Sequence, residues 1–263
     1  MTTKILLAPF FVGALFIAYP QQLLADKTEK QYEHAAQIFR RGDLEAAERE
    51  FEEILRAKPQ YANARTLLGA THFLLGLKAE ENGDRTRAVS ELREAVRLEP
   101  DEAYWHSELA KVLDEQGDAD GAAKECTEAA KLSPDDADLA SGCGFKKSEV
   151  PEKKSERSQE NEGEADAKVS EVRGEISPPR PAYKPAPLYS EKARSVGYDG
   201  TTTLWVVVNA QGSVEGARVV RPAGLGLDQK ALETVRTWRF TPATRDGIPV
   251  AVRVSIEVSF RIK

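Results

Sequence analysis

The sequence predicts a multi-domain protein: an all-α array of helical repeats followed by a small α+β domain built as strand, strand, helix, strand (ββαβ). Three observations lead there. Gly-Asp pairs and prolines recur through residues 26–145 with a spacing near 34 residues, the mark of stacked helical hairpins. Residues 146–187 then lose almost all large apolar side chains, so no core continues through them. Last, residues 250–262 alternate. Val250, Val252, Val254, Ile256, Val258, Phe260 and Ile262 are apolar, and Ala251, Arg253, Ser255, Glu257, Ser259 and Arg261 between them are small or polar, as in a strand with one buried face.

Composition bounds the function classes. With 263 residues, 41% of them hydrophobic and 30% charged, the chain has material for one to three packed domains. The net charge is −6 with both signs interspersed, so no nucleic-acid partner is expected.

The chain begins with Lys4, an apolar run from Ile5 to Tyr19 that includes Pro9, and a small residue at Ala25. This is the pattern of an export signal (residues 1–25) cleaved between Ala25 and Asp26. A spanning helix needs about 20 apolar residues, so cleavage is favoured over an uncleaved signal anchor. Either way the remainder is expected outside the cytoplasm, in the periplasm or anchored to the inner membrane and facing it.

In the helical region Gly42-Asp43, Gly83-Asp84 and Gly117-Asp118 each separate two amphipathic stretches, and Pro59, Pro100 and Pro134 follow 17 or 16 residues later. Counting back from each proline, a small residue that allows close helix approach stands at Ala47, Ala88 and Ala122, and a larger one a turn later at Phe51, Leu92 and Cys126. With Leu68-Gly69 and Leu109-Ala110 in the first helices, the region resembles the tetratricopeptide repeat family. The second repeat is 41 residues rather than 34, and seven extra residues are about two turns, which lengthens a helix while keeping its buried face in phase. The resemblance implies a protein-binding array with no chemistry of its own. His34, His72 and His106 each lie in a first helix, at positions that differ from repeat to repeat, so no metal site is expected. Two cysteines, Cys126 and Cys143, permit one disulfide in an exported protein; two separate thiols fit the sequence nearly as well.

Residues 146–187 are read as a linker, first charged and disordered, then proline-rich and extended from Ser177 to Pro187. It is expected to tether the two domains without setting their relative geometry. In residues 188–263, Thr201 to Asn209 and Val214 to Arg221 form a hairpin about Ala210-Gln211-Gly212. Leu227, Ala231, Leu232, Val235 and Trp238 have helical spacing, with Asp228 in the first turn where a carboxylate suits the helix dipole. Pro242 ends the helix and Asp246-Gly247 turns the chain into the final strand. One helix on a small antiparallel sheet would bury the whole apolar row of residues 250–262.

The run Leu227-Asp228-Gln229-Lys230-Ala231-Leu232, then Val235 to Ala243 with Trp238, Phe240 and Pro242, then Asp246-Gly247-Ile248-Pro249-Val250, together with Tyr189, Ala193, Gly200 and Gly212, resembles the C-terminal domain of the TonB family. Ser190 departs from it, where the family often has proline. The resemblance implies docking on a peptide of an outer-membrane receptor or transporter by strand addition. The expected docking edge is the backbone of Val252, Arg253, Val254, Ser255, Ile256, Glu257, Val258, Ser259 and Phe260. It also implies coupling to a proton-driven inner-membrane motor. Against that coupling, the N-terminal apolar run lacks the Ser or His that family members offer a motor, and the linker is short. The alternative is a periplasmic scaffold that transmits no force. Trp238, Phe240 and Leu227 are expected in the core. No HExxH, GxSxG or phosphate loop occurs, and Gly224-Leu225-Gly226 is followed by Gln229 where a dinucleotide fingerprint needs its third glycine; neither an enzyme nor a cofactor is expected.

Overall fold

The computed structural model describes residues 18–136, 139 and 176–262. The N-terminal run before Ala18, Cys143 and the charged part of the expected linker lie outside them. Among the described residues no helix is long and apolar enough to cross a membrane. The first helix, α1, continues through Ala25 and Asp26 without a break.

Three helical hairpins come first: α1 (Ala18–Arg40) with α2 (Leu44–Ala57), α3 (Ala62–Glu81) with α4 (Arg85–Leu98), and α5 (Ala103–Gln116) with α6 (Ala119–Leu132). The Gly-Asp pairs explain the turns. Gly42, Gly83 and Gly117 have φ of 82°, 76° and 86°, a left-handed conformation that glycine adopts without penalty. Each following aspartate caps the next helix, its carboxylate accepting from the backbone N–H of Ala46, Arg87 or Gly121. Ala47, Ala88 and Ala122 are buried, as are Phe51, Leu92 and Cys126. The long second repeat appears as an α3 of 20 residues against 14 for α5. Its own Gly76 makes room for α4: a Cβ there would lie 2.7 Å from Leu92 Cγ.

The histidines depart from expectation. His72 and His106 occupy the same position of successive hairpins, 34 residues apart. The Nδ1 of each meets a glutamate on the second helix of its own hairpin, Glu91 at 2.8 Å and Glu125 at 2.6 Å. Glu48 adds a third ligand-type atom beside His72, all within 4.8 Å of one another. Because the same pairing recurs at His106, it serves to brace helix against helix. His34 is exposed. Cys126 is disulfide-bonded; its expected partner, Cys143, lies outside the described residues.

The C-terminal part is built on an antiparallel sheet of β3 (Gly200–Val208), β4 (Val214–Arg221) and β8 (Val252–Phe260), in the order β4-β3-β8. A one-turn helix, α7 (Glu191–Ser195), precedes it, and α8 (Leu227–Arg236) covers it. Three features differ from the sequence reading. The proline-rich end of the expected linker is in fact part of the fold: β1 (Ile176–Ser177) pairs with β6 (Ala243–Arg245), and β2 (Arg180–Tyr183) with β5 (Arg239–Thr241). Prolines at Pro178, Pro179 and Pro181 are tolerated because these are short edge pairings. Secondly, the alternating run is broken at Ala251: β7 (Ile248–Val250) turns back on β6, and only Val252–Phe260 joins β3. Ile262 is past the strand and 46% exposed.

Thirdly, α8 lies over β3 and β4 rather than across the whole sheet. The apolar row of β8 is therefore buried at Val252, Val258 and Phe260 but only half-buried at Val254 and Ile256. Leu204, Val206, Val208, Leu225, Leu227, Ala231, Leu232, Val235 and Trp238 form the centre of this core, with Phe240 also buried.

The two parts of the chain are docked, which a flexible tether does not require. Phe39 and Tyr198 rings lie 5.8 Å apart, the Tyr32 hydroxyl donates to Val196 O at 3.3 Å, and Arg221 pairs with Glu81. Buried residues of both parts belong to one continuous cluster.

Candidate functional site

The expected docking edge is a true sheet edge: among the described residues β8 has a strand partner on one side only, β3. Which of its nine residues offer backbone to the open side follows from the register. Asn209 N–H donates to Ser213 O at 3.0 Å, so at that end of β3 the odd-numbered residue faces β4. Successive residues of a strand alternate sides, so Val208, Val206, Leu204, Thr202 and Gly200 face β8, where they stand opposite Val252, Val254, Ile256, Val258 and Phe260. Ile262 N–H, donating to Asp199 Oδ1 at 2.8 Å, continues the even series. The N–H and C=O groups aimed at the open side thus belong to Arg253, Ser255, Glu257 and Ser259. Both β4 bulges, at Glu215 and Val220, leave β3 and β8 in regular register.

Side chains along the edge differ by face. The odd-numbered side chains are exposed. Arg253 lies over the Trp205 ring, its guanidinium carbon 4.8 Å from the ring centroid, a cation–π contact that keeps a 38% exposed tryptophan beside the edge. On the other face Val254 and Ile256 are left half-covered by α8, so a strand added to the edge would find both free backbone groups and apolar surface.

A second cluster lies at the opposite end of β3, where the hairpins meet the C-terminal domain. Asp228, read from sequence as a dipole partner on an exposed first turn, is 1% exposed. Its carboxylate accepts from Thr202 Oγ1 at 2.7 Å and from the N–H groups of Ala223 and Gly224, both at 2.8 Å. Burial pushes this carboxyl above its usual range, against the pull of those donors. The bonds hold residues 223–224 in a fixed loop. Tyr198 reinforces it, its hydroxyl donating to Ala223 O at 2.7 Å, and burial raises that phenol well above its ordinary value.

Ser190 now has a role. It caps α7, accepting from Ala193 N–H, and donates to Leu225 O at 2.5 Å, so a hydroxyl ties two loops where a proline has no side-chain donor. From α7, Lys192 reaches the hairpins and lies 3.0, 2.6 and 2.8 Å from carboxylate oxygens of Glu99, Asp101 and Glu102. Glu102 also accepts from Gly226 N–H at 3.3 Å, while its burial raises its own carboxyl pKa, with Lys192 opposing. Nothing in the sequence pattern marks Lys192 or Trp105: their partners are 90 or more residues away and chemically ordinary. Asp228 carried a local signal, helix position, but not the signal of its burial.

Comparison with known proteins follows the same division. Residues 185–262 match the family model described as Gram-negative bacterial TonB protein C-terminal, and residues 39–81 and 73–137 match a tetratricopeptide repeat model. Protein TonB of Vibrio cholerae serotype O1 is 36% identical over 78 residues, 29% of this chain and 32% of that one. Protein tonB2 of Pseudomonas aeruginosa is 36% identical over 81 residues, 30% of each chain. The match therefore spans about a third of the length of these relatives. Among solved structures, PcrH in complex with the chaperone binding region of PopB is 20% identical, covers 45% of this chain and 93% of its own, and has a TM-score of 0.31. Thermobaculum terrenum O-GlcNAc transferase is 33% identical over 45% of this chain and 21% of its own, with a TM-score of 0.29.

Proposed function

We propose that this chain, a tetratricopeptide repeat array joined to a TonB C-terminal domain, acts in the periplasm and docks on a peptide of an outer-membrane transporter or receptor by adding that peptide as a strand to β8. The observation that carries the reading is the open side of β8. Four residues in alternation present unpaired backbone groups there, next to Val254 and Ile256, which the core leaves half-covered. Main-chain bonds would supply affinity and the side-chain row register. Lysine and arginine beside an open edge also discourage pairing with the wrong strand, a role suited to Arg253.

Coupling to an inner-membrane proton-driven motor is the larger version of this function, and the TonB relatives support it. The scaffold reading, in which the same edge holds an envelope protein without force, is separated from it by one experiment. A photo-crosslinking amino acid is placed at Ser255 in the full chain, in cells, with Glu215 on the far strand as control. Crosslinks to an outer-membrane transporter from Ser255 and not from Glu215 are the expected result. Crosslinks from Ser255 only to other envelope proteins would favour the scaffold, and equal labelling from both positions would remove β8 as the docking edge. Co-purification of inner-membrane motor subunits with the uncrosslinked chain tests the coupling itself.

A further inference from the structure

The face built by the first helices of the hairpins is not empty. Its residues Tyr32, Phe39 and Trp105, with the acidic turn ahead of α5, meet α7 and the loops on either side of β3 and β4. We infer that this face is a clasp for the chain's own C-terminal domain, fastened by Lys192 and able to open, so that any other protein using it must first displace that domain. The inference refines the reading of the repeats as a protein-interaction array by naming what they hold, and it is independent of what docks on β8.

Two contacts define the fastening. The first is electrostatic: one ammonium, Lys192, lies within 3.0 Å of three carboxylates, Glu99, Asp101 and Glu102. The Glu99 and Glu102 side chains are only 5% and 10% exposed there. Buried carboxylates need a compensating charge, and this one comes from the other domain. The second is a close approach. A Cβ on Gly224, whose φ is +84°, would lie 2.3 Å from Trp105 Nε1, so only a bare backbone fits flat on the indole. Asp228 holds that backbone in place through the N–H of Gly224.

The seat has a built-in weakness that favours opening. Trp105 is fully buried, stacked on Phe73 at 5.0 Å, and its indole N–H has no hydrogen-bond partner. A buried, unsatisfied donor is costly, and here the loop carrying Gly224 is what covers it. Undocking would give that N–H to water and would rehydrate the three carboxylates. The closed state therefore rests on a lysine and on apolar contact against a standing polar cost, which is the balance a reversible clasp needs.

The test uses the full chain with a specific protease site inserted between residues 155 and 165, ahead of the first strand of the C-terminal fold. After cleavage the two fragments are run together on gel filtration and their affinity is measured by dilution at about 0.15 M salt, where exposed charges more than about 8 Å apart are screened but a contact ion pair is not. The wild-type fragments should stay together. Lys192→Glu places a fourth carboxylate in the fork and should weaken the association at least about tenfold, as truncating a desolvated charge pair does. Glu99→Gln with Glu102→Gln, made on the other side of the contact, should weaken it in the same direction. Circular dichroism of each uncut chain must match wild type, which separates undocking from misfolding. Wild-type fragments that elute apart, or folded Lys192→Glu fragments that associate as tightly as wild type, would overturn the clasp.

Discussion

Proline on alternate residues of β8 separates docking from folding. Ser255 and Glu257 direct their N–H groups to the open side, whereas Ile256, opposite Leu204, directs its own to β3. Ser255→Pro therefore removes one donor offered to an added strand and none from the β3–β8 ladder. A main-chain hydrogen bond is worth about 0.5–1.5 kcal/mol net, and the proline ring also stands where the added strand must approach. Together these predict a loss of about 1–2 kcal/mol, or five- to thirty-fold in affinity. Stability should fall by no more than about 1 kcal/mol, since edge positions accept proline. Ile256→Pro is the contrast: it breaks a ladder bond in the middle of the strand and should cost about 3 kcal/mol or more in stability. The assay is titration calorimetry with the receptor peptide recovered by crosslinking at Ser255, paired with urea unfolding of each variant. Wild-type affinity in both Ser255→Pro and Glu257→Pro would refute strand addition at this edge. So would a Ser255→Pro chain that is as unstable as Ile256→Pro, because the two N–H groups would then not point to opposite sides.

Three further outcomes are expected. Asp228→Ala leaves Thr202 Oγ1 and the N–H groups of Ala223 and Gly224 without an acceptor, and at about 1–3 kcal/mol for each buried orphan the C-terminal domain should lose roughly 3–6 kcal/mol in denaturant unfolding; a change below about 1 kcal/mol would contradict the buried network. Gly212→Ala puts a Cβ at φ +79° and 1.9 Å from Phe240 O, which is backbone and cannot step aside, so a loss of more than about 2 kcal/mol is expected, read by thermal unfolding. For His106, burial lowers the pKa, but the Glu125 carboxylate and the Pro100 carbonyl outweigh it and the net shift is upward from the ordinary 6.5. The folded state then holds the proton more tightly than the unfolded chain. This contribution is complete below pH 6.5 and is lost as pH rises through the higher folded value. His106→Gln should flatten that part of the stability–pH curve, and an unchanged slope would show that another group sets it.

Much of the fold was readable because its signals are local. A glycine followed by aspartate specifies a left-handed turn and a helix cap within four residues, and it did so at all three of Gly42, Gly83 and Gly117. Helical spacing predicted the burial of Leu227, Ala231, Leu232 and Val235, and alternation predicted that Val252, Val258 and Phe260 face the core. The seven-residue insertion was legible as a longer α3 because whole turns preserve the phase of a helix.

What the sequence did not reveal depends on meetings between distant residues. The prolines of residues 178–187 read as an extended linker, yet neighbouring Ile176 and Arg180 pair with Arg245 and Thr241; an extended conformation is the same whether a partner strand is present or not. The histidines were judged by sequence position, and only the shared offset to Glu91 and Glu125 showed His72 and His106 to be equivalent. Where α8 rests on the sheet, and hence that Val254 and Ile256 remain half-covered beside an open edge, is a matter of packing angle, which periodicity does not encode. The same holds for the seat of the C-terminal domain on the hairpins. Lys192, Trp105 and Gly224 are unremarkable until the fold brings them together, because ion pairing and close approach are selected in three dimensions while sequence order records only neighbours along the chain. The sequence by itself determined the two architectures and the strand that ends them. Tertiary structure alone determined which side of that strand is open and what the repeats hold.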